Sequence, residues 1–466
     1  MQKNTAVVTL LLCLSLINAC SKPATPTVAS PPPVVVPLPA EPDPAQFGTP
    51  FNNVPDRQDA TIYQVNIRPF SQQGNFAGVM ARLDSIKALG VNVVYLMPTY
   101  PVGIVNAINS AYCVRDYKGV NAEFGTLGEL RGIVEAAHSK NMAVIFDWVA
   151  NHSSFDNPWT TQHKDWYLQN GTGTIISPPG TGWNDVAQLN FSNNNMRLAM
   201  IKAMKYWVLT ANIDGFRFDY TDGPPLEFWR QAVDTLRNMT SHKLLLLAEG
   251  SNTSNFTVGF DFNFGFTYFG QLKSVYNNNK SAQITDSLNN VEYVNASNGQ
   301  QVVRYLSNHD VNGSDGTALD LFGGKKGSMG AFITCAYMKG VPMIYSGQEV
   351  ATPIRITFPF TSTKIDWSIN PDVTAEYKKV IAFRNASSAV RKGMLTTFSN
   401  QNICAFTKEL AGEKVLVIVN VRNSIVNYAL PASLANSTWT DVINGGTVAL
   451  GTQVSMPAYG YYILKL

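Results

Sequence analysis

The sequence has little cysteine and little net charge. It contains 5 cysteines in 466 residues, and its formal net charge is only +3. Cys13 and Cys20 lie near the N-terminus, whereas Cys113, Cys335 and Cys404 are far apart. This spacing excludes a disulfide framework and the paired cysteines of zinc sites. Runs of Lys and Arg interleaved with aromatic residues are also missing, so nucleic acid is not an expected partner, and an uncharged substrate fits better.

Long hydrophobic runs are missing as well, because the apolar run at 6–17 is shorter than the roughly 18 residues that a membrane helix needs. A short positive start with Lys3 and then this run are typical of a secretory signal. The run ends at Ile17-Asn18-Ala19-Cys20, which resembles a bacterial lipoprotein signal cleaved before the cysteine. We therefore expect an exported protein that is lipid-anchored to the cell envelope through Cys20, on its periplasmic or outer face, or otherwise secreted.

The rest of the chain is long and apolar enough for a large core and more than one domain, with 45% hydrophobic residues. After a Pro-rich spacer, short apolar runs alternate with longer amphipathic stretches, which predicts repeated βα units. The predicted strands are 61–67, 91–97, 142–148, 213–219, 244–249, a weaker one near 258–262, 302–307 and 341–345. The predicted helices include 79–89, 127–140, 196–209, 226–238 and 326–338. Eight such units indicate an α/β fold, a closed (β/α)8 barrel.

Two regions depart from this alternation. The stretch 151–191 is rich in Gly, Pro, Asn and Trp, and we interpret it as a subdomain inserted after the third strand. From about residue 392 short strands follow, 414–419, 427–430 and 461–466 among them, which predicts a C-terminal antiparallel β-sandwich. The predicted organisation is a signal peptide at 1–20, a linker at 21–50, the barrel at 51–391 and the sandwich at 392–466.

The segment GFRFD ends the fourth predicted strand with an arginine and a carboxylate two residues apart. Side chains alternate along a strand, so Arg217 and Asp219 face the same side. A cation beside the acid favours its ionised form, which suits a carboxylate that attacks rather than donates a proton. A structural ion pair would give the same pattern, so the interpretation depends on the other strand ends.

Four other predicted strands also end in polar groups, and the active site of a (β/α)8 barrel forms at the carboxyl ends of its strands. These groups are Asp147, Asn151 and His152 after the third strand, Glu249 after the fifth, His309 and Asp310 after the seventh, and Gln348 and Glu349 after the eighth. Three of the strand-end carboxylates lie on neighbouring loops, together with two imidazoles and one guanidinium, and this combination indicates a catalytic site. The three acids are Asp219, Glu249 and Asp310.

The motifs DWVANH, GFRFD, AEG and SNHD, in this order and at these strand ends, resemble the four short conserved regions of the α-amylase family of glycoside hydrolases. The resemblance extends over roughly residues 59–385. It implies that Asp219 is the nucleophile, Glu249 the general acid/base and Asp310 the carboxylate that holds the distorted sugar. Retaining glycosidases need an ionised carboxylate and a protonated acid about 5 Å apart. The two neighbouring acids favour a shared proton on Glu249.

The resemblance also implies four substrate-binding residues, which are Arg217 and the three residues His152, His309 and Tyr112. His152 and His309 match a pair that hydrogen-bonds sugar hydroxyls, for which neutral imidazoles are suited because they donate and accept. Tyr112 matches an aromatic platform beneath the same sugar. Structural histidines and a core tyrosine are the alternatives for these three residues.

No cofactor is expected for the chemistry, and no catalytic metal. In the family the residue matching Asn151 often binds a structural calcium ion together with oxygens from the insert. Here Gln188 stands where an acidic calcium ligand is common, so a structural Ca²⁺ ion stays an open expectation.

Other departures concern the acceptor side of the site. A Lys-His pair usually follows the nucleophile and contacts the departing sugar, whereas this chain has Tyr220-Thr221-Asp222-Gly223, and Ser110 replaces a histidine often found before the platform tyrosine. The insert carries three tryptophans that either stack on glucose units or anchor the insert's own fold: Trp159, Trp166 and Trp183.

The sequence therefore predicts a retaining, endo-type hydrolase of α-1,4-glucosidic bonds in starch-like glucans or maltooligosaccharides. One alternative is a maltodextrin-processing transglycosylase of the same family. Another is a non-catalytic glucan-binding lipoprotein, although such a protein would be expected to have lost at least one of the three acids.

Overall fold

The computed structural model describes residues 42–466. The predicted signal peptide, the lipid attachment at Cys20 and most of the predicted linker lie outside the described residues. Within residues 42–466, no helix combines the length and the apolar character that crossing a membrane requires.

The described part of the chain contains both β-strands and α-helices. Within residues 42–466 the strands are β1 Ile62–Val65, β2 Val93–Leu96, β3 Ala143–Trp148, β4 His152–Ser154, β5 Val186–Gln188, β6 Gly215–Phe218, β7 Leu245–Ala248, β8 Phe262–Phe264, β9 Gln301–Tyr305, β10 Val341–Tyr345, β11 Met394–Thr397, β12 Ile403–Leu410, β13 Glu413–Asn420, β14 Val426–Ala429, β15 Ser437–Asp441, β16 Thr447–Leu450, β17 Gln453–Met456 and β18 Tyr461–Lys465. The α-helices of the same region are α1 Ile67–Phe70, α2 Phe76–Met80, α3 Leu83–Ala88, α4 Leu127–Ser139, α5 Trp159–Gln162, α6 Asn194–Ala211, α7 Leu226–Arg237, α8 Phe266–Asn277, α9 Ile284–Val291, α10 His309–Ser314, α11 Ala318–Leu321, α12 Gly324–Tyr337, α13 Pro371–Ala386 and α14 Ser388–Lys392.

Eight parallel strands form a closed barrel in the order β1-β10-β9-β8-β7-β6-β3-β2. Every residue of these strands is buried, which is expected where helices cover a parallel sheet on its outer side. The register pairs Asp147 of β3 with Arg217 of β6. The predicted α/β class and (β/α)8 barrel are confirmed, and the carboxyl ends of the strands gather the polar groups at one end.

The weak strand predicted at 258–262 is wrong in its position. The side chain of Asn252 accepts a hydrogen bond from Ser254 N and begins a 3-10 helix, Thr253–Val258. Gly259, with φ +99°, ends this helix in the left-handed region, where glycine is favoured. Asp261 then accepts a hydrogen bond from Leu246 N through Oδ2 at 2.7 Å, and β8 begins only after it.

The helix predicted at 79–89 is two helices, α2 and α3. Asn75 caps α2 by accepting a hydrogen bond from Gly78 N, so this helix begins earlier than its apolar pattern indicates. The chain leaves helical geometry at Arg82, whose guanidinium carbon lies 3.9 Å from the centre of the Trp367 ring. The cation–π contact places Arg82 against a loop of the eighth βα unit.

The stretch between β3 and α6 contains its own small sheet. Strands β4 and β5 pair antiparallel, with His152 opposite Gln188 and Ser154 opposite Val186. This sheet projects from the carboxyl end of β3, so its residues lie beside the residues at the strand ends.

The C-terminal region confirms the predicted antiparallel sandwich. A six-stranded sheet, β11-β12-β13-β18-β15-β16, faces the two-stranded sheet β14-β17. The two sheets share one apolar core, which includes Leu416, Tyr428, Trp439 and Met456. Tyr461 donates a hydrogen bond to Glu376 Oε1 of α13 at 2.6 Å, which links this domain to the barrel.

The start of the described chain contacts the barrel exterior. Residues 42–50 contain no helix or strand. Phe47 N donates a hydrogen bond to Leu209 O of α6 at 2.8 Å, and its ring lies 4.1 Å from the guanidinium carbon of Arg131. The end of the predicted linker is therefore packed against two barrel helices.

Candidate active site

A cavity of about 250 Å³ opens at the carboxyl ends of the barrel strands. Six of the seven predicted site residues line it: Tyr112, His152, Asp219, Glu249, His309 and Asp310. The seventh, Arg217, is fully buried and contacts the carboxylates from within the barrel. The structure thus brings together residues that lie as far apart in the chain as positions 112 and 310.

Arg217 is the centre of the site. Its Nη1 donates to Asp147 Oδ1 at 2.6 Å and to Asp219 Oδ1 at 3.0 Å, and its Nη2 forms an ion pair with Glu249 Oε1. Charge-assisted contacts of this kind fix carboxylate orientation as well as charge. One guanidinium therefore holds three carboxylates from three neighbouring strands.

The close approach of these strands requires glycine at position 215. A Cβ atom there would lie 1.9 Å from Leu245 O, and the backbone has φ +142°. Only glycine fits this contact between β6 and β7. Gly215 thus sets the distance between the strands that carry Asp219 and Glu249.

Asp147 is the wholly buried anchor behind the cavity. Its Oδ2 accepts hydrogen bonds from Tyr95 Oη at 2.5 Å and from Tyr112 Oη at 2.9 Å. His309 Nε2 lies 2.7 Å from the same Tyr112 oxygen, and its Nδ1 lies 2.9 Å from Gln64 Nε2. With Gln64 donating to Nδ1, the imidazole carries its proton on Nε2 and donates to Tyr112. A continuous chain of hydrogen bonds runs from His309 to Asp147.

Both imidazoles that line the cavity are neutral. Burial lowers the pKa of His152 to about 4, and burial together with Arg217 lowers the pKa of His309 to about 4. The nearby guanidinium disfavours a second cation, as does the removal of the rings from water. Neutral rings keep one donor and one acceptor each, as hydrogen bonding to hydroxyls requires.

The acids in the cavity hold their protons more tightly than free carboxylic acids. Burial raises the pKa of Asp219 well above its usual range, Arg217 opposes this effect, and the carboxyl of Glu249 adds to it. The pKa of Glu249 is also raised by burial and by the Asp310 carboxylate, against the influence of Arg217. The expectation that Arg217 alone keeps Asp219 ionised is therefore incomplete, because its charge is divided among three carboxylates. Sharing of protons within the group follows from the same geometry.

Asp310 has more contact with solvent than the other two acids. Its side chain is 62% exposed, against 12% for Asp219 and for Glu249. It lies in the first turn of α10, whose cap is Asn308, and Asn308 Oδ1 accepts from Asp310 N and Val311 N at 2.9 Å each. Asp310 is thus held by its backbone, and its largely exposed carboxylate, whose Oδ1 lies 3.3 Å from His309 Nε2, can meet a ligand.

The residues that would hold calcium in the insert do not fit this ion. Gln188 Nε2 donates to Asn151 O at 3.0 Å, to Asn151 Oδ1 at 3.3 Å and to Leu189 O at 3.0 Å. An N–H donor therefore lies among the oxygens that a cation would collect, and calcium needs six or more oxygen ligands at roughly 2.3–2.6 Å. No cluster of three or more His, Cys, Asp or Glu with metal-binding geometry occurs within residues 42–466.

The structure separates the three tryptophans of the insert. Trp166 is 3% exposed and lies edge-on to Trp159, with ring centres 5.0 Å apart. Trp159 also packs against Tyr117 at 5.0 Å, so these two tryptophans belong to the insert's core. Trp183 lines the cavity and is 36% exposed.

Several cavity residues were not among the predicted site residues. They are Ile108, Ser110, Trp183, Asp185, Val186, Tyr220, Phe358 and Phe360. Phe358 and Phe360 lie in the loop after β10, where no motif marked them. Tyr220 directly follows the GFRFD motif, and the sequence marked it only as part of the departure at residues 220–223 on the acceptor side.

The sequence matches two family models in the same order as the structural domains. Residues 47–356 match the alpha amylase catalytic domain, and residues 395–463 match the maltogenic amylase C-terminal domain. Alpha-amylase 3 of Dictyoglomus thermophilum is 24% identical over 451 residues, which is 80% of this chain and 87% of that protein. A cyclomaltodextrinase of a Bacillus species is 24% identical over 388 residues, 74% of this chain and 65% of that protein.

Solved structures show the same fold. A noncanonic maltogenic alpha-amylase from Thermotoga neapolitana aligns with a TM-score of 0.79 at 22% identity, over 88% of this chain and 99% of that one. The cyclic alpha-maltosyl-(1→6)-maltose hydrolase from Arthrobacter globiformis aligns with a TM-score of 0.74 at 19% identity, over 90% of this chain and 100% of that one. The chain therefore belongs to the alpha-amylase family of glycoside hydrolases, enzymes that act on α-glucans and need no cofactor for catalysis.

Proposed function

We propose that the protein is a retaining, endo-type hydrolase of α-1,4-glucosidic bonds in starch-like glucans or maltooligosaccharides. The observation that carries this proposal is the contact of Asp219 and Glu249 with two nitrogens of the same Arg217 guanidinium. Two carboxyls on one guanidinium lie side by side, as retention requires, without the extra width that an inverting enzyme needs for water. The match to the catalytic family model supports the same chemistry.

The reaction proceeds in two displacements at the anomeric carbon. Asp219 attacks this carbon while Glu249 gives its proton to the bridging oxygen, so the bond to the leaving sugar breaks and a glycosyl-enzyme forms. Glu249 then takes a proton from water, which attacks the same carbon and restores the Asp219 carboxylate. Burial raises the pKa of both Asp219 and Glu249, and Arg217 lowers both, so the two carboxyls share a proton. The first step needs that proton on Glu249 and the negative charge on Asp219.

The other cavity residues bind the sugar at the cleavage point. The neutral His152 hydrogen-bonds a sugar hydroxyl, and the exposed Asp310 carboxylate accepts from hydroxyls of the distorted ring. His309 binds a hydroxyl through Nε2, whose N–H it shares with Tyr112 Oη, because Gln64 occupies its Nδ1. The Tyr112 ring provides the platform beneath this sugar, while its hydroxyl is held by Asp147. Hydrogen bonds that strengthen as the ring flattens lower the barrier.

An endo-type action is supported by the apolar rim of the cavity. Ile108 is 56% exposed, Phe358 45% and Trp183 36%, and all three line the cavity. Exposed apolar groups beside a binding site indicate a surface that further ligand atoms cover. Glucan units beyond the cleavage point would cover this rim.

A maltodextrin-processing enzyme that transfers sugars is the second candidate. The match of residues 395–463 to the maltogenic amylase C-terminal domain favours it, as does the similarity to a cyclomaltodextrinase. A non-catalytic glucan-binding role is disfavoured, because Asp219, Glu249 and Asp310 all reach the same cavity.

Product analysis tests the proposal. The protein lacking residues 1–20 is incubated with starch, pullulan, maltooligosaccharides and sucrose, and the products are resolved by size, with Asp219→Asn as the inactive control. Rapid loss of iodine staining relative to the release of reducing ends indicates endo action, and NMR of the first product should show the α anomer. Products longer than the substrate would favour the transferase. Absence of any released sugar would reject the enzyme and favour the binding protein.

We also propose export and lipid anchoring through Cys20, on the strength of the N-terminal sequence pattern. Mass spectrometry of the mature N-terminus and membrane fractionation of a Cys20→Ala variant test this. A soluble mature protein with an unmodified N-terminus would support plain secretion instead.

A further inference from the structure

Tyr220 has an unusual backbone conformation directly after Asp219. Its φ is +45°, in the left-handed region that residues other than glycine seldom adopt. The Tyr220 N–H donates to Glu249 Oε2 at 3.0 Å. Backbone strain that persists at such a position indicates a functional constraint. Here the constraint orients the acid that the proposed mechanism uses.

The Tyr220 ring belongs to a row of aromatic rings in the cavity wall. Trp183 lies edge-on to it, with ring centres 5.0 Å apart and an interplanar angle of 76°. Trp183 in turn meets the His152 ring at 5.5 Å. All three rings line the cavity, and Trp183 is the one insert tryptophan of the three that is not used as a core anchor.

Gly223 makes room for the Tyr220 ring. A Cβ atom at position 223 would lie 2.5 Å from Cε1 and 2.6 Å from Cδ1 of Tyr220. Any larger residue would press on the ring and also on Asn151 Oδ1, which would lie 2.9 Å from the added Cβ atom. The glycine and the tyrosine are therefore matched to each other, three positions apart.

Asp222 ties the same segment to the loop after β7. Its Oδ2 accepts from Ser251 N at 2.8 Å and from Ser251 Oγ at 3.1 Å. That loop begins with Glu249, so both the backbone of Tyr220 and the side chain of Asp222 hold the strand end that carries the acid. Residues 220–223, which replace the usual Lys-His region, thus act as one unit.

The contacts of Glu249 indicate on which side of the scissile bond this unit lies. Arg217 contacts Oε1 of Glu249, whereas Tyr220 N–H contacts Oε2. Tyr220 is therefore at the oxygen of Glu249 that is turned away from the Arg217–Asp219 pair. Glu249 protonates the oxygen of the leaving sugar, so the group beyond it adjoins that sugar.

We propose that Tyr220 and Trp183 form the stacking platform for the glucose unit on the leaving-group side, and that they determine which acceptors the enzyme uses. This inference rests on the proposed function. A pyranose presents an apolar C–H face that packs on aromatic rings, and rings with two torsion angles lose little entropy when they bind. A platform of this kind contacts the apolar face of a glucose unit. It does not bind the sugar hydroxyls through charged or hydrogen-bonding groups, as a Lys-His pair would.

The experiment compares two substrates that differ on the leaving-group side. Maltotetraose places glucose there, whereas α-maltosyl fluoride leaves only fluoride, which makes no contact with the platform. The measured quantity is the ratio of kcat/KM for maltotetraose to kcat/KM for the fluoride. We expect Trp183→Ala and Tyr220→Ala each to lower this ratio roughly tenfold, the order of one aromatic contact. Tyr220→Phe keeps the ring and should retain the ratio.

Two further variants separate the platform from stability. Gly223→Ala should lower the ratio as Tyr220→Ala does, because the added methyl group displaces the ring. Trp159→Ala removes a tryptophan of the same insert that packs in its core, so it should lower the Tm without changing the ratio. Equal losses with both substrates, or an unchanged ratio in the Trp183 and Tyr220 variants, would overturn the inference. Failure of the wild type to release sugar from maltotetraose would instead reject the proposed function.

Discussion

Nη1 of Arg217 lies 3.0 Å from Oδ1 of Asp219, the residue two positions further along the chain. The same nitrogen lies 2.6 Å from Asp147 Oδ1, and the register of β3 and β6 places Asp147 directly beside Arg217. Arg217 is therefore fixed by a buried neighbour, Asp147, that does not line the cavity. Its remaining charge acts on the carboxylates of Asp219 and Glu249 together.

We expect Arg217→Lys to lower kcat by roughly 10²-fold or more, the order of losing one preorganised donor. A single ammonium cannot reach three carboxylates from one position. Arg217 lowers the pKa of Asp219 against the effect of burial, so weakening this contact raises that pKa further. Because Asp219 must be ionised to attack, the acid limb of the kcat/KM profile should move to higher pH.

The matched control for this prediction is Arg304→Lys. Arg304 is also fully buried in a barrel strand, and its partner is Glu292 rather than a cavity residue. We expect it to lower the Tm and leave the acid limb unchanged. An acid limb that stays in place in Arg217→Lys would show that this guanidinium does not influence the nucleophile.

Azide distinguishes the nucleophile from the acid/base. In Asp219→Ala the anion occupies the space of the lost carboxylate and attacks α-maltosyl fluoride directly, so the product should be the β-glycosyl azide. In Glu249→Ala the glycosyl-enzyme still forms, and azide attacks it from the other face to give the α-glycosyl azide. NMR of the product reads the anomer. The reverse assignment of anomers would exchange the two roles, and Asp185→Ala, which removes another carboxylate of the cavity, should yield no azide product.

The strand ends could be predicted from sequence because parallel strands direct their carboxyl ends to one side. Clear apolar runs mark the buried strands, and the site residues stand at their ends: Arg217, Asp219, Glu249 and Asp310. The placement of Trp183 could not be predicted. Whether a tryptophan of the insert faces the cavity or the insert's core depends on the pairing of β4 with β5, which no local pattern of residues 151–191 specifies.

Two long helices were absent from the prediction for different reasons. α13 carries buried residues at Val373, Tyr377, Val380 and Ile381, and Pro371 stands in its first turn, so a regular signal was present. α8 follows β8 after only one residue, and the continuous aromatic and apolar stretch before it hides the change from period 2 to period 3.6.

Glu349 should make stability depend on pH near neutrality. It is 3% exposed, and its Oε1 accepts from Tyr63 Oη at 2.6 Å. Burial raises its pKa from 4.5 to about 7. Between pH 4.5 and about 7 the folded protein therefore binds a proton that the unfolded chain has released. The free energy of unfolding falls as the pH rises through this range and levels off above about pH 7.

Glu349→Gln mimics the neutral acid and should remove this dependence. Unfolding by urea at several pH values measures it, and the difference between the variant and the wild type should grow by about 3 kcal/mol at most between pH 4.5 and 7. The exposed Glu409→Gln serves as the control for the loss of one surface carboxylate. Parallel curves for Glu349→Gln and the wild type would show that Glu349 ionises in the fold as it does in the unfolded chain.

Removal of divalent cations should leave both the Tm and the activity of this protein unchanged. The amide of Gln188 lies 3.0 Å from Asn151 O and 3.0 Å from Leu189 O, and its N–H groups satisfy oxygens that a calcium ion would otherwise gather. A neutral donor in this place holds the insert to the loop after β3 without a metal. Thermal unfolding and starch hydrolysis with and without EDTA measure the effect, and a lower Tm in EDTA would contradict the assignment.

Exchange of the donor for a carboxylate tests the same interaction from the other direction. In Gln188→Glu a carboxylate oxygen replaces the N–H donor, so Asn151 O and Leu189 O lose their hydrogen-bond partner. Each unsatisfied oxygen lowers the free energy of unfolding by roughly 1–3 kcal/mol. We expect a lower Tm in EDTA and recovery with millimolar Ca²⁺, because the new carboxylate supplies the charge that the cation needs. Gln300→Glu is the matched control: Gln300 also donates to two backbone carbonyls, Phe256 O at 2.9 Å and Phe260 O at 2.7 Å, away from the insert. Its Tm should fall in the same way and should not recover with calcium, since Nε2 of Gln300 donates to two backbone carbonyls, whereas Nε2 of Gln188 also meets the side-chain oxygen Oδ1 of Asn151.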